Sequence, residues 1–362
     1  MSSTLLVGIV GCGYWGPNLA RNFSVNPGSE VVALCDPNQD RLSHVSSIHP
    51  TAEKFADFDE LLRDAGVDAV AIATPLHSHY QLAKAALNAG KHVLVEKPMA
   101  SSSAECEELI SIAEEKGLTL MVGHTYLYSE PVAKIAEIIQ SGGIGELKYI
   151  NCQRLNLGLF QKDINVAWDL APHDLSIILH VMGGSPRIVN CQGNAHIQAD
   201  VEDVTNLSLS FDDNRFATIQ SSWLEPRKVR QMTFVGTQKM IVYDDLQPLE
   251  KLRIHDVRVE CPPHYDDFAE FHYSYHYGDC YIPRLVQSEP LKKMCSHFIK
   301  CATEGRVPMT HGKSGLAVVK ILEASSESLR RNGGPVDLAE PFRSISRFGG
   351  GVPLASSETP AG

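Results

Sequence analysis

The run Leu5-Leu6-Val7-Gly8-Ile9-Val10, followed at once by Gly11-Cys12-Gly13-Tyr14-Trp15-Gly16, constrains this chain more than any other stretch. A short, nearly unbroken apolar run that ends in a glycine turn reads as a strand buried on both faces. Residues 17–23 then read as a helix, with Pro17 tolerated in the first turn, where its missing N–H would have no partner anyway. Strand, glycine turn and helix form the context in which G-x-G-x-x-G has a physical meaning. Gly11 permits the tight turn and Gly13 lets the backbone approach a pyrophosphate. Gly16 lets the helix pack close to the strand, and the helix start offers the positive end of its dipole. Tyr14 and Trp15 read as packing or cofactor-covering residues.

The next strand, Glu30 to Cys35, ends in Asp36. A carboxylate about twenty residues beyond the glycines can accept from both ribose hydroxyls of an adenosine and would repel a 2′-phosphate, which favours NAD over NADP. Arg41, a helical turn away, keeps NADP in view. Asp36 could equally cap a helix, since Asp-Pro followed by polar residues starts helices well. A third strand, Asp68 to Ala73, runs into Thr74-Pro75-Leu76-His77-Ser78-His79, where His77 and His79 are expected to line the cofactor pocket. A helix over Gln81 to Asn88 stops at Ala89-Gly90. The strand His92 to Val95 follows and ends in Glu96-Lys97-Pro98. Ser102 and Glu105 make a capping box, and Leu118 to Val122 is another strand, ending in Gly123-His124. This alternation predicts a doubly wound parallel sheet.

A chain of 362 residues suggests about two domains. Beyond Tyr126 the pattern changes. Pro131 to Ser141 reads as a helix. Leu147 to Leu157, Ile188 to Ile197, Val204 to Phe211, Phe216 to Trp223, Val229 to Val235 and Met240 to Tyr243 read as strands of an open, mostly antiparallel sheet. Ala171 to Met182, Pro290 to Thr303 and Lys313 to Arg330 read as its helices. The expected division is a dinucleotide-binding α/β domain over 1–125, an α+β substrate and oligomerisation domain over 126–345, and a loose tail over 346–362. A net charge of -11 argues against nucleic acid and anionic membranes as partners. The nine scattered cysteines, without C-x-x-C, favour reduced thiols in a cytoplasm. The apolar run 5–10 is too short for a signal or anchor.

Two clusters carry chemistry. Lys97 stands outside the carboxyl end of a predicted parallel strand, where ligands bind and where an amine can hold a substrate hydroxyl. A surface Glu-Lys pair before a turn is the alternative. In Trp168-Asp169-Leu170-Ala171-Pro172-His173-Asp174, Pro172 marks a first helical turn. Asp169 and His173 are then spaced to share one face, the imidazole taking a hydroxyl proton and the carboxylate orienting it. A structural histidine with an N-capping aspartate explains the spacing equally well. His77, His79, His124 and His180 lack ligand spacing, so no metal is expected. Phe271 to Tyr277 is a loop candidate for sugar stacking, or else a strand or interface segment.

Gly11-x-Gly13-x-x-Gly16, Asp36, Thr74-Pro75, Glu96-Lys97-Pro98 and Asp169-x-x-x-His173 together resemble the glucose-fructose oxidoreductase, inositol dehydrogenase and rhizopine catabolism (Gfo/Idh/MocA) family over roughly residues 4–335. The resemblance implies a nicotinamide-binding domain followed by an open-sheet domain that usually forms a homodimer or homotetramer. It implies Lys97 and His173 as the catalytic pair, Asp169 beside them, Glu96 near the nicotinamide, and a cis Lys97–Pro98 bond. The candidate substrate set is Lys97, His124, Tyr126, Arg154, Asn156, Trp168, Asp169 and His173. The runs 154–160, 168–174 and 223–230 resemble dehydrogenases of bacterial surface-polysaccharide and nucleotide-sugar pathways, which implies oxidation at C3 of a UDP-linked N-acetylated hexosamine. A free-sugar or cyclitol dehydrogenase and a non-catalytic NAD sensor are the alternatives. Arg154, Lys228, Arg230 and Arg284 are candidates for a diphosphate. Many relatives carry an aspartate where this chain has Ser176, which bears on the contacts to substrate hydroxyls.

Overall fold

Six short strands build the amino half of the protein, seen in a computed structural model that describes residues 4–161, 163–260 and 274–338. They are β1 (Leu5–Val10), β2 (Ser29–Cys35), β3 (Glu53–Phe55), β4 (Ala69–Ile72), β5 (His92–Val95) and β6 (Leu120–Val122). The order is β3-β2-β1-β4-β5-β6 and every pairing is parallel. Helices α1 (Gly16–Ser24), α2 (Gln39–Ile48), α3 (Phe58–Asp64), α4 (Leu76–Asn88) and α5 (Ser103–Lys116) connect them. The order reverses between β1 and β4, which opens a crevice at their carboxyl ends. β3 escapes the sequence pattern because only Phe55 of its three residues is buried. His77 and His79 lie in the first turns of α4, which begins directly after Pro75. Ser102 caps α5 by accepting from the Glu105 N–H at 3.2 Å, while the Glu105 carboxylate reaches back to the Ser101 N–H.

The second half opens with a 3-10 turn, Thr125–Tyr128, and α6 (Glu130–Gln140). Its sheet holds β7 (Leu147–Leu157), β8 (Ile188–Asn194), β9 (Val204–Ser210), β10 (Phe216–Ser222), β11 (Leu224–Gly236), β12 (Met240–Asp244), β13 (Leu252–Glu260), β14 (Ser274–Tyr281) and β15 (Val336–Asp337). Only β7 and β10 run parallel; the other neighbours are antiparallel. The helix α7 (Val166–Met182) crosses between β7 and β8. Its start corrects the expected one. Asn165 is the cap, accepting from the Trp168 N–H at 3.2 Å, so Pro172 lies in the helix interior. Its ring costs one helical bond there rather than marking the first turn.

The sheet is two-faced. Ile150, Cys152, Leu207, Leu209, Ala217, Ile219, Met232 and Phe234 are buried on the helix side. The alternate residues present a row of amides on the other side, Gln231–Gln153–Gln220–Asn206–Gln192, each opposite the next. The last helices, α8 (Pro290–Glu304) and α9 (Gly312–Arg330), return to the first half. Phe298 meets Phe23 of α1 edge-on at 6.0 Å, and Gly315 packs against Met99 and Val122. Of the segment 271–277, residues 274–277 belong to the exposed outer strand β14, and 271–273 lie outside the described residues.

Candidate active site

The crevice at the end of β1 forms a cradle for an anion. Gly11 has φ +93, and a Cβ there would lie 2.6 Å from the Ala73 carbonyl oxygen. A Cβ on Gly16 would lie 1.8 Å from the Gly11 carbonyl oxygen. Any side chain at either position would force the turn away from β4. Gly13 faces open space, with only the Arg41 guanidinium at 4.0 Å. Trp15 caps α1 without a side-chain bond; Pro17 has no N–H and that of Asn18 goes to the Trp15 carbonyl oxygen, so the N–H groups before Pro17 are the ones left for an incoming oxyanion. Asp36 is buried, with one carboxylate oxygen on the Cys12 N–H at 2.7 Å and the other on the Asn38 N–H at 2.8 Å. The cap of α2 is Asn38, which accepts from the Asp40 and Arg41 N–H groups. The capping alternative for Asp36 is therefore corrected. Its carboxylate holds the glycine turn and keeps spare lone pairs for ribose hydroxyls, so these residues fit a dinucleotide.

An Asp36→Ala variant should bind NAD roughly ten- to a hundredfold more weakly, the worth of hydrogen bonds to a charged acceptor. NADP should bind relatively better, because Arg41 remains beside the turn. Titrations of both nucleotides by protein fluorescence check this; unchanged NAD affinity would remove Asp36 from the site.

Thr74 and Pro75 pack beside the turn, since a Cβ on Gly11 would also lie 2.9 Å from the Thr74 methyl. The two histidines that follow separate. His77 is exposed and 3.8 Å from Asp163. His79 is buried, with Nδ1 2.8 Å from the Pro98 carbonyl oxygen and Nε2 2.8 Å from that of Thr74. It therefore braces the cis Lys97–Pro98 turn against the end of β4 rather than lining an open pocket, as had been expected.

β5 delivers Glu96 and Lys97 to the same crevice. The Lys97 ammonium donates to the Asp169 carbonyl oxygen at 2.9 Å and lies 3.9 Å from its carboxylate. Burial pulls its pKa down, while Asp169 and Glu96 hold it up. One turn further along α7, the His173 ring packs 4.9 Å from that of Tyr126, and its Nδ1 is enclosed without a partner. Burial first, then Lys97 and Arg154, push His173 well below its usual range, so the ring is neutral. The expectation that Asp169 orients His173 is corrected. Its carboxylate accepts from Trp223 Nε1 at 3.1 Å and faces Lys97 instead.

Arg154 is also placed differently from the diphosphate role. Its guanidinium is buried in a two-pronged pair with Asp174, at 3.0 and 2.7 Å, and stacks over Tyr126. Those bonds leave it to position Tyr126 rather than to grip a ligand. Trp168 turns away from Lys97 because each helical residue rotates about 100°. Its indole N–H donates to Ser326 of α9 at 2.9 Å, and the ring lines a separate cleft with His77 and Glu202. Asn156 sits at the rim, its amide beside Gly158 and Trp223. A cleft of about 780 Å³ opens from Trp15 and Tyr126 toward Asp245, Lys251 and Arg284. Trp223, Asp174 and Asp245 went unmarked as site residues in the sequence. Asp174 beside His173 was the nearest signal, whereas Asp245 reaches Tyr126 from another strand end at 3.2 Å.

Glu96 is buried and its pKa is pushed up to about 7 by that burial, against the pull of Lys97. An unfolded carboxyl ionises near 4.5, so the folded state holds this proton more tightly. The resulting stability is complete below that value and is lost as pH rises through about 7. The protein should lose on the order of 3 kcal/mol between pH 5 and pH 8 that a Glu96→Gln variant keeps. Denaturant titrations at the two pH values decide it; equal slopes in both proteins would place the dependence elsewhere.

A parallel sheet with a glycine-turn cradle, joined to an open sheet whose crossing helix meets Lys97 at Asp169, defines a class. Residues 5–124 match the Gfo/Idh/MocA model for oxidoreductases with an NAD-binding Rossmann fold, and residues 132–242 match the Gfo/Idh/MocA C-terminal domain. The chain belongs to this family of NAD-binding oxidoreductases. It is 30% identical over 228 residues to UDP-N-acetylglucosamine 3-dehydrogenase of Acidithiobacillus ferrooxidans, covering 62% of this chain and 69% of that protein. The solved structure of that bacterium's UDP-N-acetylglucosamine 3-dehydrogenase, GnnA, superposes with a TM-score of 0.74 over 91% of this chain and 99% of the other, at 24% identity. Inositol 2-dehydrogenase 1 of Saccharopolyspora erythraea is 29% identical over 235 residues, covering 58% of this chain and 70% of that protein. Among the described residues no helix is long and apolar enough to cross a membrane, and no group of metal-ligating side chains converges.

Proposed function

We propose that the protein oxidises a secondary alcohol of a sugar to a ketone with NAD, at C3 of a UDP-linked N-acetylated hexosamine. The observation that carries the reaction is the meeting of two halves at one point. Lys97 from β5 is anchored on Asp169 of α7, one turn before a neutral His173. A neutral imidazole accepts the hydroxyl proton. Lys97 spends one N–H on the Asp169 carbonyl and turns its others to the same oxygen, stabilising the charge that develops there. Asp169 opposes the pull of burial on that ammonium, and Trp223 fixes the Asp169 carboxylate. When bound, NAD supplies the hydride acceptor. Gly11, Gly13, Gly16 and Asp36 would hold it, with Glu96 at its far end.

The UDP-sugar reading draws on the similarity to the Acidithiobacillus dehydrogenase and on a cleft of about 780 Å³, larger than a hexose needs, with Arg284 on its wall. The similarity to an inositol dehydrogenase keeps a cyclitol as the second reading. The amide row on the open sheet face suits a second copy of the chain, and the eight free cysteines among the described residues suit a reducing cytoplasm. A screen of UDP-sugars, free sugars and cyclitols with NAD, read as reduced-nicotinamide absorbance, tests both substrate readings. Turnover on a UDP-N-acetylhexosamine is expected. Turnover on inositols alone would replace the proposal with the second reading, and none on any polyol would end both.

A further inference from the structure

We infer that the alcohol proton leaves through the back of the site, from His173 by way of His124 into a water-holding cavity that opens at the Gly183-Gly184 turn. The inference rests on the dehydrogenase reading above. Each turnover breaks a C–H and an O–H bond. The hydride goes to the nicotinamide, and the hydroxyl proton goes to His173 and must then reach solvent. Cofactor and substrate would fill the front cleft. Around this site, among the described residues, the ring nitrogens left enclosed without partners are Nδ1 of His173 and both nitrogens of His124, which is 1% exposed. Buried polar atoms of this kind are normally satisfied by internal water.

Space for that water adjoins His124. A cavity of about 130 Å³ is lined by His124, Ser176, His180, His311 and Ser314, with apolar side chains of the 3-10 turn, α7, α9 and the loop before α9 forming much of the remaining wall. At about 30 Å³ per molecule it holds several waters. Gly183, on its rim, is exposed. Ser176 donates its hydroxyl to the His173 carbonyl oxygen and Ser314 donates to that of His311, each at 2.7 Å. Those hydroxyls can accept from water but have no proton free to pass on, so waters and imidazoles carry the relay. The three histidines do not converge on a metal position among the described residues.

A ring that takes a proton at one nitrogen and releases one from the other regenerates itself as the second neutral tautomer. Lys97, Arg154 and Arg230 face His173, and Lys97 faces His124. These charges, with burial, hold both rings neutral and make a trapped proton short-lived. On the cavity wall, burial alone lowers His180, and burial and then Lys313 lower His311 against the pull of Glu114.

One test needs no substrate: a high-resolution crystal structure of the full chain. Ordered waters bonded to His124 and reaching His173 Nδ1 are expected; a dry cavity would overturn the route. The second test is a stopped-flow single turnover with NAD and UDP-N-acetylglucosamine, following reduced-nicotinamide absorbance and a pH indicator together. In the unaltered protein the two traces should coincide. In His124→Phe, proton release should lag at least tenfold, and added imidazole should restore the rate of His124→Ala. His311→Phe, on the cavity wall, should lag as well and serves if the His124 variants do not fold. Coincident traces in these variants would overturn the route. A failure of the unaltered protein to reduce NAD counts against the dehydrogenase reading, and the waters then decide the cavity separately.

Discussion

Replacing Lys97 with alanine should lower kcat by roughly a thousandfold while NAD binds almost as before. In the proposed mechanism the ammonium is the charged donor to the reacting oxygen, and its removal would take away charge stabilisation that develops only in the transition state. Burial pulls the pKa of Lys97 down, while Asp169 and Glu96 oppose that pull. The loss should therefore fall on kcat and not on cofactor affinity, whose residues lie around Gly11 and Asp36. Steady-state rates on the best substrate and a fluorescence titration of NAD separate the two. Near-normal turnover in Lys97→Ala would remove this residue from the chemistry. A tenfold loss of NAD affinity would assign it to the cradle instead.

An Asp174→Ala variant should be destabilised by on the order of 3–5 kcal/mol. The pair it breaks is almost wholly enclosed, with side-chain exposures of 7% for Arg154 and 3% for Asp174. Burial works against the Arg154 charge, but the Asp174 carboxylate outweighs it and fixes the guanidinium as a cation. Without that partner a full charge is stranded in the core, opposite Arg230 on the neighbouring strand. The double variant Arg154→Met/Asp174→Leu should recover most of the loss, because the penalty lies in the uncompensated charge. Denaturant midpoints for the single and double variants test this. If the double variant is as unstable as the single, packing rather than charge accounts for the effect. Turnover should fall in Asp174→Ala too, since Arg154 stacks on Tyr126 and Tyr126 packs on His173.

The strands and glycine turn of the amino half are legible in the chain because their signals are local. An apolar strand, a Gly11 that must adopt positive φ and an acidic Asp36 at the next strand end lie within about thirty residues of one another. Repetition of strand and helix then forces a parallel sheet. The position of Lys97 outside a strand end follows from the same logic. The start of α7 was misread for a local reason as well: Pro172 suits a first turn, but Asn165 caps earlier and the helix tolerates one missing bond. What no local pattern could show is which side chains meet. Lys97 and Asp169 are 72 residues apart, and Trp223 reaches Asp169 across 54. His79 looks like a pocket residue until the fold brings Pro98 and Thr74 to its two nitrogens. Arg154 looks like an anion ligand until Asp174 closes on it. Backbone preference and hydrophobic period act over a few residues and can be read from the chain. Partnership among charges and imidazoles depends on distances that exist only after the two sheets have packed, and it is this partnership that sets which groups face the cleft with a proton or a charge to give.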